Sequence, residues 1–464
     1  MTCDVASLLK KIHRIHFVGI GGSGMFPLVE ILLAEGYTIT GSDNNESSIV
    51  ALERKHGITV HIGHDAKNVG DAEALVVTAA LLAGNPEVEY AQAHNIPIIP
   101  RAELLGWATS IYKSAVCVSG THGKTTTTSM LTSVFLEAGL DPGAVIGGKL
   151  PRIGGYGRRG GDALMVCEAC EFKDTFLHLT PDYAVLLNVD ADHLDYFGTL
   201  DGVKASFRKF AGMARTAVVA NADDKNTRDT LAGLDKKIYW FGEGDGCDFC
   251  IRNVANYARA FYSFELYDTA SKRSTGVFKL SVPGRQNVYD AAAAVVCALL
   301  KGVDARDIHR GLESFRGAAR RFEFLGEYGG VTFADDYAHH PTELAVTLDA
   351  AQQMGYDRVI AVFQPFTFSR TKLLLHDFAA ALRKADVVVL TAIMGSREVN
   401  TFGITTADLA AEIPGSVWFE TFGEVVEHCM SIARSGDLIL TLGCGDIYKA
   451  ANRMVELCRN KSQQ

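Results

Sequence analysis

Ala115-Val116-Cys117-Val118-Ser119-Gly120-Thr121-His122-Gly123-Lys124-Thr125-Thr126-Thr127-Thr128 is the stretch that decides the fold. The small apolar run Ala115 to Val118 reads as a buried strand, the glycine-bearing turn interrupts it, and a helical pattern starts at Ser129. The start of such a helix offers unpaired backbone N–H groups to an anion. A strict phosphate loop places Gly five positions before Gly123, where Val118 stands, so the match is to Gly-Lys-Thr in the right setting. The mechanics survive that departure. Backbone amides of the loop from Gly120 through Thr121, His122 and Gly123 to Thr126 can cradle phosphate oxygens. Lys124 can bridge the terminal phosphates, and the Thr125 hydroxyl can ligate magnesium. A solvated helix start carrying a Lys and four Thr is the bland alternative, and the strand–glycine–helix order speaks against it.

The same alternation runs outward in both directions, which predicts an α/β fold built from parallel βαβ units with sites at the strand C-terminal ends. Upstream, strands are expected at Ile15 to Val18, Tyr37 to Thr40 and Leu75 to Thr78, with a helix at Leu28 to Ala34. The central block continues through Leu164 to Cys167, Tyr183 to Asn188, Ala217 to Ala220 and Ile238 to Phe241. A third block restarts after the small and polar residues Ser314 to Ala319, with strands at Val331 to Ala334, Val359 to Phe363, Val387 to Leu390 and Leu438 to Leu442. A chain of 464 residues predicts about three domains. Their expected bounds are 1–108, 109–317 and 318–464.

A second glycine loop, Gly19-Ile20-Gly21-Gly22-Ser23-Gly24, follows the first strand, and Asp43 closes the next strand 19 residues after Gly24. Glycines let the backbone approach a pyrophosphate, and the acid can reach a ribose or a polar ring edge. Any nucleotide diphosphate would satisfy that pattern, so it does not establish NAD. Two other strand ends carry acids: Glu168 and Glu171 after Leu164 to Cys167, and Asp192 with His193 after Tyr183 to Leu187. In a parallel sheet these ends share an edge with the phosphate loop, where they can converge on a metal and phosphates.

The net charge of −9, with no isolated basic run, excludes the footprint needed for nucleic acid or an anionic membrane. The longest apolar run, Ala291 to Leu300, is half of what a bilayer-spanning helix needs. Met1 to His16 lacks a secretory pattern, and the expected location is the cytoplasm. Of the ten cysteines, Cys167/Cys170 and Cys247/Cys250 form two Cys-x-x-Cys pairs. With 76 residues between the pairs they are read as free structural thiols and not as a zinc site.

Together these motifs resemble the Mur ligase family of ATP-dependent amide ligases, over almost the whole chain. The resemblance rests on His16 to Met25, Gly41-Ser42-Asp43, Gly120 to Thr128, Asn188 to Asp195, Asn221 to Asp224 and Pro283 to Asn287. It continues through Arg321-Phe322-Glu323, Asp335 to Glu343, Phe363-Gln364-Pro365, Ser369-Arg370-Thr371 and Gly443 to Tyr448. It implies a Rossmann-like N-terminal domain for a UDP-sugar, a central P-loop ATPase domain with a parallel sheet, and a Rossmann-like C-terminal α/β domain for an amino acid. Implied with it is the joining of L-alanine to the carboxylate of UDP-N-acetylmuramic acid through an acyl phosphate, with ATP and Mg2+, by a cytoplasmic monomer or homodimer.

The residue roles implied are these. Gly19, Gly21, Gly22, Gly24 and Asp43 would hold the UDP moiety. Lys124 and Thr125 would hold the ATP phosphates and magnesium, and Glu168 and His193 would ligate a magnesium bridging phosphate and sugar carboxylate. Asn287 would contact adenine, Arg321 the γ-phosphate and Asp336 the ribose. His340 and Arg370 would lie by the amino acid, Arg370 pairing with its carboxylate. The family usually carries His where this chain has Phe366 and Gln286. Phe366 makes one wall of the expected amino acid pocket apolar, while Gln286 keeps hydrogen-bonding capacity. The alternatives are a ligase of the same family that recycles murein peptides, and a nucleotide-sensing binding protein.

Overall fold

The computed structural model describes residues 4–78, 81, 84–396 and 398–462, and the chain forms three sheets. The first contains β1 (Arg14–Val18), β2 (Thr38–Asp43), β3 (Thr59–Ile62), β4 (Ala74–Val77) and β5 (Ile98–Pro100) in the order β3-β2-β1-β4-β5, all parallel. The order reverses beside β1, and the first glycine loop leaves β1 at that crevice, where open α/β sheets bind ligands. From Ile15 onward β1 is buried, as a parallel strand covered on both faces requires.

The second sheet contains β6 (Ala115–Ser119), β7 (Gly143–Leu150), β8 (Gly155–Arg158), β9 (Met165–Glu168), β10 (Tyr183–Leu186), β11 (Ala217–Asn221) and β12 (Ile238–Gly242) in the order β12-β11-β10-β6-β9-β7-β8. It continues beyond β12 through β13 (Phe249–Ala258), β14 (Phe261–Asp268) and β15 (Arg273–Pro283). In the third sheet, β16 (Glu323–Tyr328), β17 (Val331–Asp336), β18 (Arg358–Phe363), β19 (Val387–Thr391), β20 (Val417–Phe419) and β21 (Asp437–Leu442) are ordered β16-β17-β21-β18-β19-β20.

The expectation of parallel pairing throughout needs correction at hairpins such as β7/β8 and β16/β17, which are antiparallel. The links Pro151–Gly154 and Gly329–Gly330 are too short for a crossover helix, which leaves only a hairpin return.

The chain divides into two compact units. One holds the residues up to Asn253 with Glu265–Phe278 and Tyr289–Phe315; the other holds Val254–Phe264, Lys279–Val288 and Arg316–Gln464. In the first unit the first two sheets share one hydrophobic core, running from Phe17 and Phe26 to Phe176, Phe207 and Phe210. The helix Arg101–Ser110 accordingly runs through the expected boundary at residue 108, because Leu104, Leu105 and Ala108 belong to that common core. The helix Phe26–Ala34, which follows the glycine loop, docks on β8. Phe26 meets Tyr156 edge-on at 5.8 Å, and Glu30 Oε2 accepts the Gly157 N–H at 2.7 Å. Burial pushes the Glu30 carboxyl up to about 7, against the hydrogen bonds from Gly157 and Tyr156. In the second unit the third sheet packs its two faces on separate clusters, one around Leu344, Phe363 and Phe378 and the other around Ile360, Val389 and Met454.

Among the described cysteines of the first unit, Cys117, Cys167, Cys247 and Cys297 are buried and Cys170 and Cys250 half-buried. Burial pushes the Cys170 thiol up to about 11 and the Cys247 thiol up to about 12, so both stay protonated at neutral pH. Cys247 Sγ donates to the Gly244 carbonyl at 3.2 Å.

Candidate active site

The phosphate loop takes its shape from the segment that leaves β10. Thr121 N–H donates to the Asn188 carbonyl at 3.1 Å. The Asn188 side chain grips the next residue at both ends, accepting the His122 N–H at 2.8 Å and donating to the His122 carbonyl at 3.1 Å. The Thr121 hydroxyl accepts the Asp190 N–H at 2.9 Å, and His122 Nε2 lies 3.3 Å from Asp190 Oδ2. Gly123 caps the helix Lys124–Glu137 at φ +85°, where a side chain would be strained and would also collide with Asp290. Thr126 lies half-buried on the first turn of that helix.

Lys124 folds back over its own loop. Its Nζ donates to the carbonyls of Gly120 at 2.5 Å and Thr121 at 3.0 Å, and pairs with Glu171 Oε2 at 3.0 Å. Burial alone would pull this lysine down. The carboxylate of Glu171, helped by Cys170 and Glu168, more than offsets that and holds the ammonium above its usual range. Glu171 also faces His193, whose Nε2 is 4.0 Å from Glu171 Oε1 and 3.7 Å from Asp192 Oδ2. His193 occupies the left-handed region at φ +53°, and its ring packs on Phe172 at 4.8 Å. Glu168, at the end of β9, accepts the Thr125 hydroxyl at 2.8 Å and the Gly147 N–H at 2.7 Å through Oε2. Four of the expected residues, Lys124, Thr125, Glu168 and His193, therefore converge with Glu171 at one sheet edge of the first unit.

The glycine loop after β1 is braced by its acid. Asp43 Oδ2 accepts the Gly21 N–H at 3.1 Å, while Oδ1 accepts the Asn45 N–H at 3.1 Å. A Cβ on Gly19 would sit 2.9 Å from Thr78, and one on Gly24 would meet Arg101, whose Nη1 donates to the Gly24 carbonyl. Gly22 is exposed on the crest. Beneath the loop, Glu87 is fully buried and accepts from Ser42 at 2.6 Å and Asn68 at 2.7 Å, with His16 and His64 alongside. Burial opposes its ionisation, but hydrogen bonds from His16, Ser42 and Asn68 prevail and hold it at about 2.

The remaining expected residues belong to the second unit. The Asp336 carboxylate is tied to backbone, Oδ2 accepting the Phe322 N–H and Oδ1 the Ala338 N–H, each at 2.7 Å. Burial pushes it up to about 6 despite Arg321 and those two amides. The Arg321 guanidinium lies 5.0 Å from the centre of the Tyr337 ring. Asn287 is buried and donates to the Pro283 carbonyl at 2.7 Å. His340 caps the helix Pro341–Gln353, accepting the Thr342 N–H at 3.3 Å in a capping box closed by Glu343. Arg370 rides on the helix Phe368–Leu373, whose first turn is held by Glu398 through the Ser369 N–H at 2.8 Å and hydroxyl at 2.5 Å. Phe366 is half-buried on the loop before that helix.

Sequence reasoning gave no role to Asn188, Gly147 or Glu398. The position of Asn188 at a strand end was visible, but its grip on His122 depends on β6 and β10 being neighbours.

The ATP-type loop, the second glycine loop and a separate α/β unit with paired arginines define a class of nucleotide-using ligase, and comparison with known proteins agrees. Three family models match in order: "Mur ligase family, catalytic domain" over residues 14–113, "Mur ligase middle domain" over 118–298 and "Mur ligase, glutamate ligase domain" over 320–445. The chain belongs to the Mur ligase family. It is 42% identical to a UDP-N-acetylmuramate–L-alanine ligase of Caldanaerobacter subterraneus subsp. tengcongensis, over 97% of this chain and 98% of the relative. A ligase of the same name from Agathobacter rectalis is 41% identical, over 96% and 98%. Among solved structures, the UDP-N-acetylmuramate–alanine ligase of Thermotoga maritima superposes with a TM-score of 0.83 at 28% identity, covering 97% of this chain and all of that one. A murein peptide ligase of Psychrobacter arcticus gives 0.78 at 25% identity, covering 97% and 99%.

Proposed function

We propose that the protein joins L-alanine to the lactyl carboxylate of UDP-N-acetylmuramic acid at the expense of ATP, which becomes ADP and phosphate. The observation that carries this reading is the cluster of Lys124, Thr125, Glu168, Glu171 and His193 at the phosphate loop, in a chain about 40% identical along its length to ligases of that name.

A carboxylate is a poor electrophile, so it must be activated before an amine can attack. One of its oxygens attacks the γ-phosphorus, the bond to the β-bridging oxygen breaks, and ADP leaves. The amine of alanine then attacks the acyl carbon of the acyl phosphate, loses a proton, and phosphate departs. Little covalent chemistry falls to the protein, whose residues position the reactants and neutralise crowded negative charge.

In this reading Lys124 swings from its loop carbonyls to the terminal phosphates, while the amides from Gly120 to Thr126 line the phosphate chain. Asn287 and Asp336 contact adenine and ribose, and Arg321 faces the γ-phosphoryl group. Gly19, Gly21, Gly22, Gly24 and Asp43 hold the UDP moiety in the crevice beside β1. Arg370 pairs with the amino acid carboxylate, His340 lies nearby, and Phe366 shapes the side-chain space for a small apolar group.

Thr125, Glu168 and His193 fit a magnesium site. The Thr125 hydroxyl and the Glu168 carboxylate already drawn to it are hard oxygen donors, and the His193 imidazole would add a nitrogen beside them. Bound there, Mg2+ would supply charge neutralisation between phosphate and sugar carboxylate. Among the described residues no helix is long and apolar enough to cross a membrane, and the reading takes the enzyme as cytoplasmic, a monomer or a homodimer.

The test is phosphate release with UDP-N-acetylmuramic acid and, in turn, L-alanine, glycine, L-serine and a tripeptide. Turnover with L-alanine above the rest is expected. A preference for the tripeptide would instead identify a peptide-recycling ligase, and ATP hydrolysis indifferent to all four would point to a nucleotide sensor.

A further inference from the structure

Arg320 precedes Arg321, the phosphate contact of the proposed function, and the family resemblance gives it no task. We infer that Arg320 is a positioning residue that presents the Arg321 guanidinium to the transferred phosphoryl group. The inference rests on the reading of Arg321 as a γ-phosphate contact.

The backbone supplies the first argument. Arg320 has φ +59° and Phe322 φ +46°, so two side-chain-bearing residues flanking Arg321 occupy the left-handed region. Such conformations cost about 1–3 kcal/mol each and persist where the surroundings over-determine them. Here they are over-determined. Arg320 N–H donates to Glu323 at 2.8 Å and its carbonyl accepts the Tyr337 N–H at 2.7 Å. Arg321 N–H reaches the Ala318 carbonyl at 3.1 Å, and Phe322 N–H reaches Asp336 at 2.7 Å.

The side chain supplies the second. The Arg320 fork is spent on protein acceptors: Nε on Asp335 at 2.8 Å, Nη1 on the Gly445 carbonyl at 3.1 Å and Nη2 on the Gly443 carbonyl at 2.5 Å. Asp335 is itself buried and accepts the Thr441 hydroxyl at 2.6 Å. A guanidinium so consumed has little left for a substrate. It also lies between two rings, 5.0 Å from the centre of Tyr337 and 4.8 Å from that of Tyr448. Arg321 uses the same Tyr337 ring, again at 5.0 Å. Arg320 fixes the ring, and the ring fixes the plane on which Arg321 rests. Lysine, a point charge on a flexible stem, cannot serve three divergent acceptors and a stacking face together.

Phosphoryl transfer depends on placing charge against the equatorial oxygens, and a displacement of about 1 Å can cost roughly 100-fold in rate. The test is a double-mutant cycle on phosphate release at saturating ATP, UDP-N-acetylmuramic acid and L-alanine, with Arg320→Lys, Arg321→Ala and the pair. Arg320→Lys is expected to lower kcat by roughly 10- to 100-fold while the KM for UDP-N-acetylmuramic acid changes less than about twofold. The pair is expected to be no slower than Arg321→Ala alone, since Arg320 acts through Arg321. Effects that multiply would overturn the proposal and leave the role of Arg321 standing. A near-normal rate for Arg321→Ala would overturn that role and the proposal with it. Arg320→Gln, which retains an amide for the glycine carbonyls, carries the same cycle if the lysine variant unfolds, and thermal unfolding of each variant separates loss of rate from loss of folded protein.

Discussion

Replacing Glu171 by Gln would strip the charge from a buried pair while keeping its shape. Lys124 Nζ and Glu171 Oε2 are 3.0 Å apart, with side-chain exposures of 14% and 3%. At an effective dielectric of about 20, two unit charges at that distance attract by about 5.5 kcal/mol before the cost of desolvating them is counted. Breaking a buried pair typically costs about 3–5 kcal/mol because a charge is left behind, and here the carbonyls of Gly120 and Thr121 still hold the ammonium. The expected loss is therefore about 3 kcal/mol. At roughly 2 °C per kcal/mol for a unit of this size, that is a fall of about 6 °C in the melting temperature of the ATP-free protein. ATP brings its own negative charge to Lys124, so the stabilisation it confers should be larger in Glu171→Gln than in the wild type. The measurement is thermal unfolding with and without a non-hydrolysable ATP analogue at fixed concentration. A variant that loses the same number of degrees with the analogue as without it would refute the reasoning, because Lys124 would not then exchange Glu171 for phosphate.

Glu168→Gln should raise the magnesium concentration for half-maximal phosphate release by at least about tenfold, and an unchanged titration would move the metal elsewhere. Arg370→Ala should raise the KM for L-alanine by roughly 10- to 100-fold, the equivalent of about 1.5–3 kcal/mol for a charge-assisted pair, with the KM for ATP little altered; equal rises in both would remove Arg370 from the amino acid. Glu53 is fully buried on the helix Ser48–Lys55, and burial, with Asp43 nearby, pushes it up to about 8 from 4.5. The folded state then keeps a proton that the unfolded state releases, so stability falls as pH rises from about 4.5 to 8. Glu53→Gln should flatten that fall in a pH series of melting temperatures, and a slope identical to wild type would show that the carboxyl ionises freely.

Strand–glycine–helix order was readable because each half of it is local. Val116 to Val118 and Phe17 to Val18 are buried apolar runs, and glycines follow each of them within two residues of the strand end. The hairpin β7/β8 was not readable, since Gly143, Gly147, Gly155 and Gly157 give it poor strand propensity and its place is fixed by contacts distant in sequence. At the site, Lys124 and Thr125 announced themselves by motif. What orients them did not: Gly147 reaches Glu168 through a backbone amide, which any residue type would carry, and Asn188 reaches His122 across 66 positions of chain. Arg320 and Arg321 look alike as a doublet, and only the fold separates the one bonded to Asp335 from its neighbour.

The docking of the helix Phe26–Ala34 on β8 bears on how such enzymes can be rebuilt. Chimeras that exchange the nucleotide-sugar half between relatives are naturally cut near residue 108, yet such a cut would separate Glu30 from the Gly157 amide and Phe26 from Tyr156. A transplanted N-terminal sheet would then set its half-buried acid against a hairpin from another protein, whose amide must fall in the same place to meet it. The exchangeable cassette is therefore not contiguous in sequence: residues 14–110, which keep the helix Arg101–Ser110 whole, travel together with the hairpin 143–158 that receives them.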